Sequence, residues 1–350
     1  MRQLHAVVPD GIDDGARPSG GNAYDRRVLS GLQAEGWEVH EHRIAGAWPR
    51  PDAASLAALA GVLAEIPTGA VLLVDGLVAS CAADVLVPAA ARLRLVVLVH
   101  MPLVTSDPGA APGEGRALAS ASAVVATSDW TRRLLVDAYA LSRSSVHVAR
   151  PGVDAAPRAP GSAGGGSLLC VAAVAPHKGQ ADLADALGLV ADLPWHCVLA
   201  GSLDVAPDYV ADVRGRLARS GLQDRVRLVG SLRGDALDGA YAAADLVVLP
   251  SRAETYGMVV TEALARGLPV VATRVGGVPE TLGGSGAAIP GLLVPPDGPE
   301  PMAAGLRQWL CRADLRERWR ARAAERRATL APWSRTVSDV ARVLEGVGAA

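Results

Sequence analysis

Short apolar runs alternate with helical segments along almost the whole chain. In the first half these runs are LHAVVP, AVLLVDG, RLVVLVH and SAVVATS. In the second half they are GSLLCVAAV, HCVLAG, RVRLVG, ADLVVLPS and LPVVAT. Continuous apolar runs of this length are typical of parallel strands that are covered on both faces. The alternation therefore predicts an α/β fold with parallel sheets.

The segments between the strands indicate how the chain is divided. AYDRRVLSGLQAEG and PDYVADVRGRLARSG have helical period, and each closes at a glycine. DAAPRAPGSAGGGS, residues 154–167, has the composition of an interdomain linker. We therefore expect two doubly wound, Rossmann-like domains, residues 1–155 and 156–332, which face each other across a ligand-binding cleft. The last helix, residues 333–350, follows the helix-breaking Pro332 and can pack on either domain, including back on the first.

Composition and charge exclude several classes of protein. The chain has 350 residues, a formal charge of −2 and a pI near 6.4, which argues against a nucleic-acid-binding protein. No apolar run approaches the roughly 18 residues that cross a bilayer, and the first residues resemble a strand rather than a signal peptide. The cysteines are scattered without a CxxC pair. We expect a cytoplasmic protein without a nucleic-acid or membrane partner.

Two residue types occur only once. Lys178, in APHKG, is the single lysine among 34 basic residues, and Asn22, in PSGGNAYD, is the single asparagine. Drift in a chain whose composition disfavours both types is one explanation, and a task that no substitute performs is the other. Each residue follows a predicted strand, where ligands gather in α/β folds. This position favours a functional role for both.

The strongest functional signal is the stretch PSRAETYGMVVTEALARGLPVVAT. A strand ends at Pro250, a loop carries Glu254, and a helix begins near Gly257 with Glu262 about a turn and a half inside it. The first backbone N–H groups of such a helix are open and suit an anionic phosphate. A surface loop followed by a solvated helical glutamate is the alternative. The order of strand, loop, glycine and helix favours a phosphate-binding site.

This stretch resembles the motif of two glutamates separated by seven residues in retaining GT-B glycosyltransferases of the family-four type, glycosyl transferases group 1. The similarity runs through the second domain and, more weakly, the first. It implies a GT-B fold and transfer of a hexose from a nucleotide diphosphate sugar to an acceptor hydroxyl with retained anomeric configuration. It also implies that Glu262 binds the ribose and Glu254 the donor sugar. The surrounding donor-binding positions are Tyr256, Gly257, Met258 and Val259.

Lys178 matches the lysine that this family places, before a glycine, on the donor diphosphate. An ammonium group there neutralises the charge that develops on the leaving group. The family usually has an arginine five residues earlier, where this sequence has Ala173. His177 and Arg252 are candidates to replace it. The missing arginine puts donor affinity in doubt.

The resemblance also assigns functions in the first domain. The family's glycine-rich loop, here Gly20 and Gly21 followed by Asn22, contacts the transferred sugar and the phosphates. An ordinary strand-to-helix turn is the alternative, and the G-x-G-x-x-G dinucleotide pattern is absent. His100 ends the strand RLVVLVH, where the family has a histidine that donates a hydrogen bond or stabilises charge beside the donor sugar. The resemblance thus makes three residues catalytic: His100, Lys178 and Glu254.

The sequence contains no D-x-D pair, so we expect neither a metal ion nor another cofactor. The expected partners are a nucleotide-sugar donor and a small-molecule or glycan acceptor. A sugar-nucleotide 2-epimerase is an alternative, but it requires further acid and base groups. A nucleotide-sugar-binding protein without turnover is another, supported only by Ala173. A pyridoxal-phosphate phosphorylase is disfavoured by the short chain and by the glycine loop beside Lys178.

Overall fold

The protein divides into two compact units. The computed structural model describes residues 2–15, 19–284 and 288–349. The first unit takes residues 2–14, 19–152 and 332–349. The second takes Gly15 and residues 153–284 and 288–331. The chain therefore passes from the first unit to the second after Gly152, and its last helix returns to the first.

The first unit is built on a parallel six-stranded sheet with the order β2-β1-β3-β4-β5-β6. Its strands are β1 (Arg2–Pro9), β2 (Trp37–Ile44), β3 (Val71–Asp75), β4 (Arg94–Val99), β5 (Ala123–Ala126) and β6 (Val146–Val148). Its helices are α1 (Gly20–Ala34), α2 (Ala53–Glu65), α3 (Gly76–Ala79), α4 (Ala83–Ala90), α5 (Ala111–Ser120), α6 (Asp129–Tyr139) and α14 (Trp333–Ala349). Short 3₁₀ turns follow β1 (Asp10–Asp13) and β4 (Leu103–Thr105).

Both faces of this sheet are covered by apolar side chains. Along β4, Leu95, Val97 and Val99 join one core cluster, whereas Val96 and Leu98 join the cluster on the opposite face. Because side chains alternate across a strand, a run that is buried throughout requires helices on both faces. The apolar runs in the sequence arise from this double coverage.

The last helix, α14, packs against α1. Its buried residues Val337, Val340 and Leu344 lie in the same core cluster as Val28 of α1. A Cβ atom on Gly31 would lie 2.3 Å from Cγ2 of Val337, so glycine permits the close approach of the two helices.

The second unit is a parallel six-stranded sheet with the order β12-β11-β10-β7-β8-β9. Its strands are β7 (Ser167–Val171), β8 (His196–Ala200), β9 (Val226–Gly230), β10 (Leu246–Leu249), β11 (Val270–Thr273) and β12 (Gly291–Val294). Its helices are α7 (Gln180–Gly188), α8 (Pro207–Arg219), α9 (Gly234–Ala242), α10 (Met258–Ala265), α11 (Val278–Leu282), α12 (Glu300–Cys311) and α13 (Ala313–Arg327). A 3₁₀ turn, Pro176–Lys178, follows β7. Within the described parts of both units, no helix has the length and apolar character that crossing a membrane requires.

The strand order of each unit reverses direction at one point. In the second unit the chain starts at β7, moves outward through β8 and β9, and then returns to place β10 on the other side of β7. In the first unit the corresponding reversal lies between β1 and β3. Loops that follow the strands on either side of such a point diverge and leave a crevice, where ligands of α/β sheets bind.

Three strands are absent from the sequence prediction, and all three lie at sheet edges. They are β2, β6 and β12. An edge strand is covered by fewer neighbours, so its sequence need not be apolar throughout. In β2 only the two end residues, Trp37 and Ile44, are buried.

The interpretation of residues 154–167 as an interdomain linker is wrong. This segment belongs to the second unit and is held there by the fully buried carboxylate of Asp245. That carboxylate accepts hydrogen bonds from Ser162 Oγ at 2.7 Å and from the Ser167 backbone N–H at 2.9 Å, and Arg320 pairs with it at 2.9 Å.

Candidate functional site

Lys178 and Glu254 meet at the reversal point of the second sheet. Lys178 ends the 3₁₀ turn after β7, and Glu254 lies in the loop after β10. The Lys178 ammonium nitrogen Nζ is 2.6 Å from Oε1 of Glu254, and the Ser251 hydroxyl donates to the same oxygen at 2.8 Å. The two charged side chains are 19% and 10% exposed. The topology thus places an ion pair, largely shielded from water, where ligands of this fold bind.

Glycine after the lysine allows these two loops to touch. Gly179 has a φ of +71°, and a Cβ atom there would lie 2.0 Å from the carbonyl oxygen of Pro250. Any other residue would force the loop after β7 away from the loop after β10. The Lys-Gly dipeptide therefore has a local structural reason, which is to bring Lys178 within reach of Glu254.

A second glycine loop supports Glu254 from behind. Gly276 has a φ of +51°, and its hypothetical Cβ would lie 1.7 Å from the Glu254 carbonyl oxygen. The Gly277 backbone N–H donates to the same oxygen at 3.0 Å. The segment RVGGVPE, residues 274–280, therefore fixes the backbone that carries Glu254.

Helix α10 begins where the sequence predicted. Gly257 precedes its first residue with a φ of +84°, and no side chain caps this end. The first N–H groups of a helix have no partner within the helix, so this terminus offers hydrogen-bond donors and the positive end of the helix dipole. Tyr256 is only 8% exposed, and its carbonyl accepts a hydrogen bond from the Thr281 hydroxyl at 2.6 Å.

Glu262 projects from α10 into a partly buried polar cluster. The hydroxyl of Tyr241, which is otherwise buried in the core, donates to Glu262 Oε2 at 2.7 Å. Arg266 stacks over the Tyr241 ring at 4.4 Å and donates to the Glu262 carbonyl at 3.1 Å. Burial raises the pKa of the Glu262 carboxyl, and the Tyr241 hydrogen bond opposes this shift. One carboxylate oxygen is thus held by Tyr241, while Oε1 makes no hydrogen bond within the described chain.

The arginine in the loop after β10 is not free to take the place of the one that is missing at Ala173. Nε and Nη2 of Arg252 each donate to the carboxylate of Asp182 at 2.9 Å, so this residue, a candidate to replace the missing arginine, is already paired. Burial, followed by the charge of Lys178, lowers the pKa of His177. Gln180 is fully buried and donates to the Ala173 carbonyl at 2.9 Å. Gln180 therefore anchors the loop in which the family's arginine would stand.

In the first unit, helix α1 begins earlier than the sequence predicted. Gly20, Gly21 and Asn22 form its first turn rather than a loop before it. Ser19 caps the helix, since its hydroxyl oxygen accepts the Asn22 backbone N–H at 3.1 Å. The Asn22 side chain donates to the Gly11 carbonyl at 3.2 Å and so ties the helix to the turn after β1. Two glycines before a helical pattern resemble a turn, which is why the start was misplaced.

His100 follows β4 and binds two carboxyl groups that the sequence did not single out. Its Nε2 lies 2.6 Å from Oδ1 of Asp25 on α1 and 3.6 Å from Oδ2 of Asp75 at the end of β3. The edge of the Tyr24 ring faces the imidazole at 5.1 Å. A Cβ on Gly21 would lie 3.1 Å from His100 Cδ2, so glycine leaves room for the ring. Asp75 ends a predicted strand, at the same edge as His100, and this position is the signal that could have found it, whereas Asp25 lies inside α1 and carries no such signal.

Sequence comparison relates the chain to glycosyltransferases. The family model described as Glycosyl transferases group 1 matches residues 165–312, within the second unit. A D-inositol 3-phosphate glycosyltransferase of Jonesia denitrificans is 33% identical over 265 residues, which cover 68% of this chain and 62% of that protein. The chain thus spans about three fifths of the length of this curated relative.

Solved structures share the fold over the whole chain. Sucrose-phosphate synthase from Thermosynechococcus elongatus has a TM-score of 0.83 at 20% identity and covers 100% of both chains. HepE of Anabaena, solved in complex with UDP-glucose, has a TM-score of 0.80 at 19% identity and covers 99% of this chain and 100% of its own. At these identities the structures establish the fold alone. The chain has the GT-B fold, and its second unit matches the glycosyl transferases group 1 family over residues 165–312.

Proposed function

We propose that this protein transfers a hexose from a nucleoside diphosphate sugar to an acceptor hydroxyl, with retention of anomeric configuration. The observation that carries the proposal is the Lys178–Glu254 pair at the reversal point of the second sheet. An ammonium group and a carboxylate there suit the two halves of such a donor. The ammonium suits the diphosphate, and the carboxylate suits the sugar hydroxyls.

The diphosphate is bound by positive charge from the protein itself. Lys178 supplies a full charge, and the uncapped start of α10 supplies backbone N–H donors from Gly257, Met258 and Val259. Both neutralise the charge that develops on the departing diphosphate. We therefore propose that transfer needs no metal ion. Lys178 exchanges part of its contact with Glu254 for a phosphate oxygen when the donor binds.

The two glutamates divide the rest of the donor between them. Glu254, released in part from Lys178, accepts hydrogen bonds from the sugar hydroxyls. Glu262 accepts hydrogen bonds from the ribose hydroxyls through Oε1, while Tyr241 holds Oε2. Tyr256 contributes through its backbone, because its ring is buried. The first unit contributes Gly20, Gly21, Asn22 and His100 to substrate binding.

The proposed reaction keeps all bond changes on one face of the sugar. The bond between the anomeric carbon and the diphosphate oxygen breaks, and the acceptor oxygen forms its bond on the same face. The acceptor proton passes to the departing phosphate oxygen, so no covalent glycosyl enzyme is needed. Glu254 therefore acts on the sugar hydroxyls and not as a nucleophile.

An inositol phosphate is the first acceptor to test. The support is the 33% identity to a protein named D-inositol 3-phosphate glycosyltransferase. The full chain is incubated with UDP-, GDP- or ADP-hexoses and D-inositol 3-phosphate, with and without a chelator, and products are identified by mass spectrometry and NMR.

Transfer of one hexose in the presence of the chelator, with the anomeric configuration of the donor, supports the proposal. Inversion, or loss of activity in the chelator, contradicts the corresponding part of it. Epimerised donor without transfer would establish the 2-epimerase instead, and binding without any turnover would establish a non-catalytic protein.

A further inference from the structure

A buried cluster of two carboxyls and one imidazole lies in the first unit. Asp25, Asp75 and His100 bring one ligand atom each within 4.8 Å of one another. Asp25 is 5% exposed and Asp75 4% exposed. The cluster draws on three separate elements, α1, the end of β3 and the residue after β4, so it is a product of the tertiary fold.

The two carboxyls cannot both be ionised in this arrangement. Oxygens of the two buried carboxyls lie within 4.8 Å of each other, and two like charges at that separation and away from water disfavour ionisation of both groups. Burial raises the pKa of both groups, which favours retention of that proton. A cavity of about 10 Å³ beside Asp25 and Asp75 is at the lower limit for one water molecule.

Two contacts and one buried oxygen without a partner in the described chain indicate where the protons lie. Asp75 Oδ1 already accepts the Leu77 backbone N–H at 2.7 Å, which leaves Oδ2 as the protonated oxygen facing the cluster. Asp25 Oδ2 is buried and lacks a conventional donor among the described residues, so a proton on Asp75 satisfies it. Asp25 Oδ1 lies 2.6 Å from His100 Nε2 and accepts its N–H.

We propose that Asp25 and Asp75 are positioning residues that fix His100 as a neutral imidazole, with the proton on Nε2 and the lone pair on Nδ1. In this arrangement the protonated Asp75 carboxyl donates a hydrogen bond to the Asp25 carboxylate. The Asp25 carboxylate also accepts a hydrogen bond from the His100 Nε2–H. Nδ1 makes no hydrogen bond within the described chain. It therefore presents an acceptor to a substrate hydroxyl.

This assignment replaces the expected role of His100 as a hydrogen-bond donor or a positive charge. Burial lowers the pKa of His100, and Asp75, which would oppose this shift if it were ionised, is held protonated by its own burial. The groups facing the imidazole are Asp25 and Tyr24 from α1 and Asp75 from β3, and Arg26 acts on Asp25 through its charge. None of them donates a hydrogen bond to Nδ1. The inference rests on the proposed function only in calling the hydroxyl a substrate group.

Nitrogen NMR of the full chain tests the proton order without any activity. The seven histidines are labelled with ¹⁵N, and the His100 signals are assigned by their loss in His100→Gln. At about pH 8, where a free imidazole is neutral, we expect a protonated Nε2 and an unprotonated Nδ1. A protonated Nδ1, or a cationic ring, overturns the proposal. The proposal is also overturned if the purified protein contains one equivalent of a divalent metal and removal of this metal changes the His100 signals.

Three variants then separate positioning from structure. Asp25→Leu removes the acceptor, so we expect the His100 ring to populate both tautomers. Asp25→Asn keeps an amide oxygen that accepts the Nε2 proton, so we expect the wild-type tautomer. Asp84→Leu, at a carboxylate whose side chain is 87% exposed on α4, is the matched control and leaves the signals unchanged. An unchanged His100 tautomer in a folded Asp25→Leu protein would overturn the role of Asp25.

Turnover supplies the functional readout. We expect kcat to fall about 100-fold in Asp25→Leu, with most of it regained in Asp25→Asn, because misplacement of a substrate-binding group costs about that factor. Equal losses in both variants would contradict positioning through hydrogen bonding. If the protein proves to have no transferase activity, the NMR result still decides the proton order. Failure of this inference and failure of the proposed function are therefore distinguishable.

Discussion

Lys178 Nζ lies 2.6 Å from Glu254 Oε1, although the two residues are 76 positions apart in the chain. The two loops that carry them are in contact through Gly179 and Pro250. An ion pair that shields both charges holds them in position before a ligand arrives. In the proposed function, the donor diphosphate competes with Glu254 for Lys178, because the two side chains are already paired. This competition links binding of the phosphates to release of the carboxylate that receives the sugar.

Replacing Lys178 with Ala is expected to lower kcat about 100- to 1000-fold, as for loss of one transition-state charge stabiliser. The donor KM should change far less, because the helix start and Glu262 continue to bind the nucleotide. Steady-state kinetics at saturating donor, with circular dichroism to verify folding, measure both. Activity within a few-fold of the wild type would remove the assigned role.

Arg252→Ala is the matched control for that variant. Arg252 is a second cation near the pair, but it is bound at two points by Asp182 and is exposed. An exposed ion pair contributes at most about 1 kcal/mol to stability. We expect unchanged kcat and a small loss of stability. A loss of donor affinity in Arg252→Ala would instead show that this residue replaces the arginine absent at Ala173.

Glu262→Gln is expected to raise the Kd for the nucleoside diphosphate about 10-fold, measured by isothermal titration calorimetry. A hydrogen bond to a charged group contributes about 1.5–3 kcal/mol, and Gln retains part of it. Tyr241→Phe should weaken binding less, because it removes only the donor that orients Oε2. Since burial raises the pKa of Glu262, wild-type affinity should fall as the pH drops through that raised pKa. Equal affinity in the Glu262→Gln variant would contradict the ribose assignment.

The free energy of unfolding should depend on pH because the acid pair Asp25 and Asp75 is buried. Burial raises the pKa of Asp25 to about 7, so the folded protein holds a proton that the unfolded chain releases near pH 4. This contribution to the free energy of unfolding is fully present below about pH 4 and is lost as the pH rises through about 7. Asp25→Asn has no such proton.

We therefore expect the variant to gain stability relative to the wild type as the pH rises from about 4 to about 7, by at most about 1.4 kcal/mol per pH unit. Urea unfolding of both proteins over this range measures the difference. A stability difference that does not vary with pH would show that Asp25 titrates normally.

Gly276→Ala should disturb Glu254 directly. Its Cβ would lie 1.7 Å from the Glu254 carbonyl oxygen, whereas Gly230, with a φ of +74°, has nothing within 4 Å of its hypothetical Cβ. Gly230→Ala thus measures the cost of left-handed backbone alone, about 1–2 kcal/mol. We expect Gly276→Ala to cost about 1–3 kcal/mol more and to reduce turnover. Equal destabilisation and normal turnover in the two variants would contradict the supporting role of the glycine loop.

Local patterns predicted the parts of the molecule that local forces determine. The strands buried on both faces and the start of α10 at Gly257 follow from continuous apolar runs and from glycine. The resemblance to the family placed Lys178 and Glu254 in one site. Their direct ion pair depends on the approach of two loops 76 positions apart, which no local pattern reveals.

The first unit was harder to predict for the same reason. Asp25 resembles a solvated acid in the sequence, because nothing near it in the chain indicates that it is buried, and only its position at a strand end singles out Asp75. Their contact with His100 depends on the placement of β3 between β1 and β4 in the sheet. The start of α1 was misplaced because two glycines are typical of turns, whereas here Gly21 makes room for an imidazole from a distant strand.

The central claim is that the second unit binds a nucleoside diphosphate sugar through Lys178, Glu254 and Glu262. The most direct test is the thermal shift of the purified full chain with UDP, GDP and ADP, and then with their sugar conjugates, in a chelator. The account predicts stabilisation by one nucleoside diphosphate in the wild type and in Arg252→Ala, and a smaller shift in Glu262→Gln. No shift with any nucleotide, or the same shift in all three proteins, would contradict it.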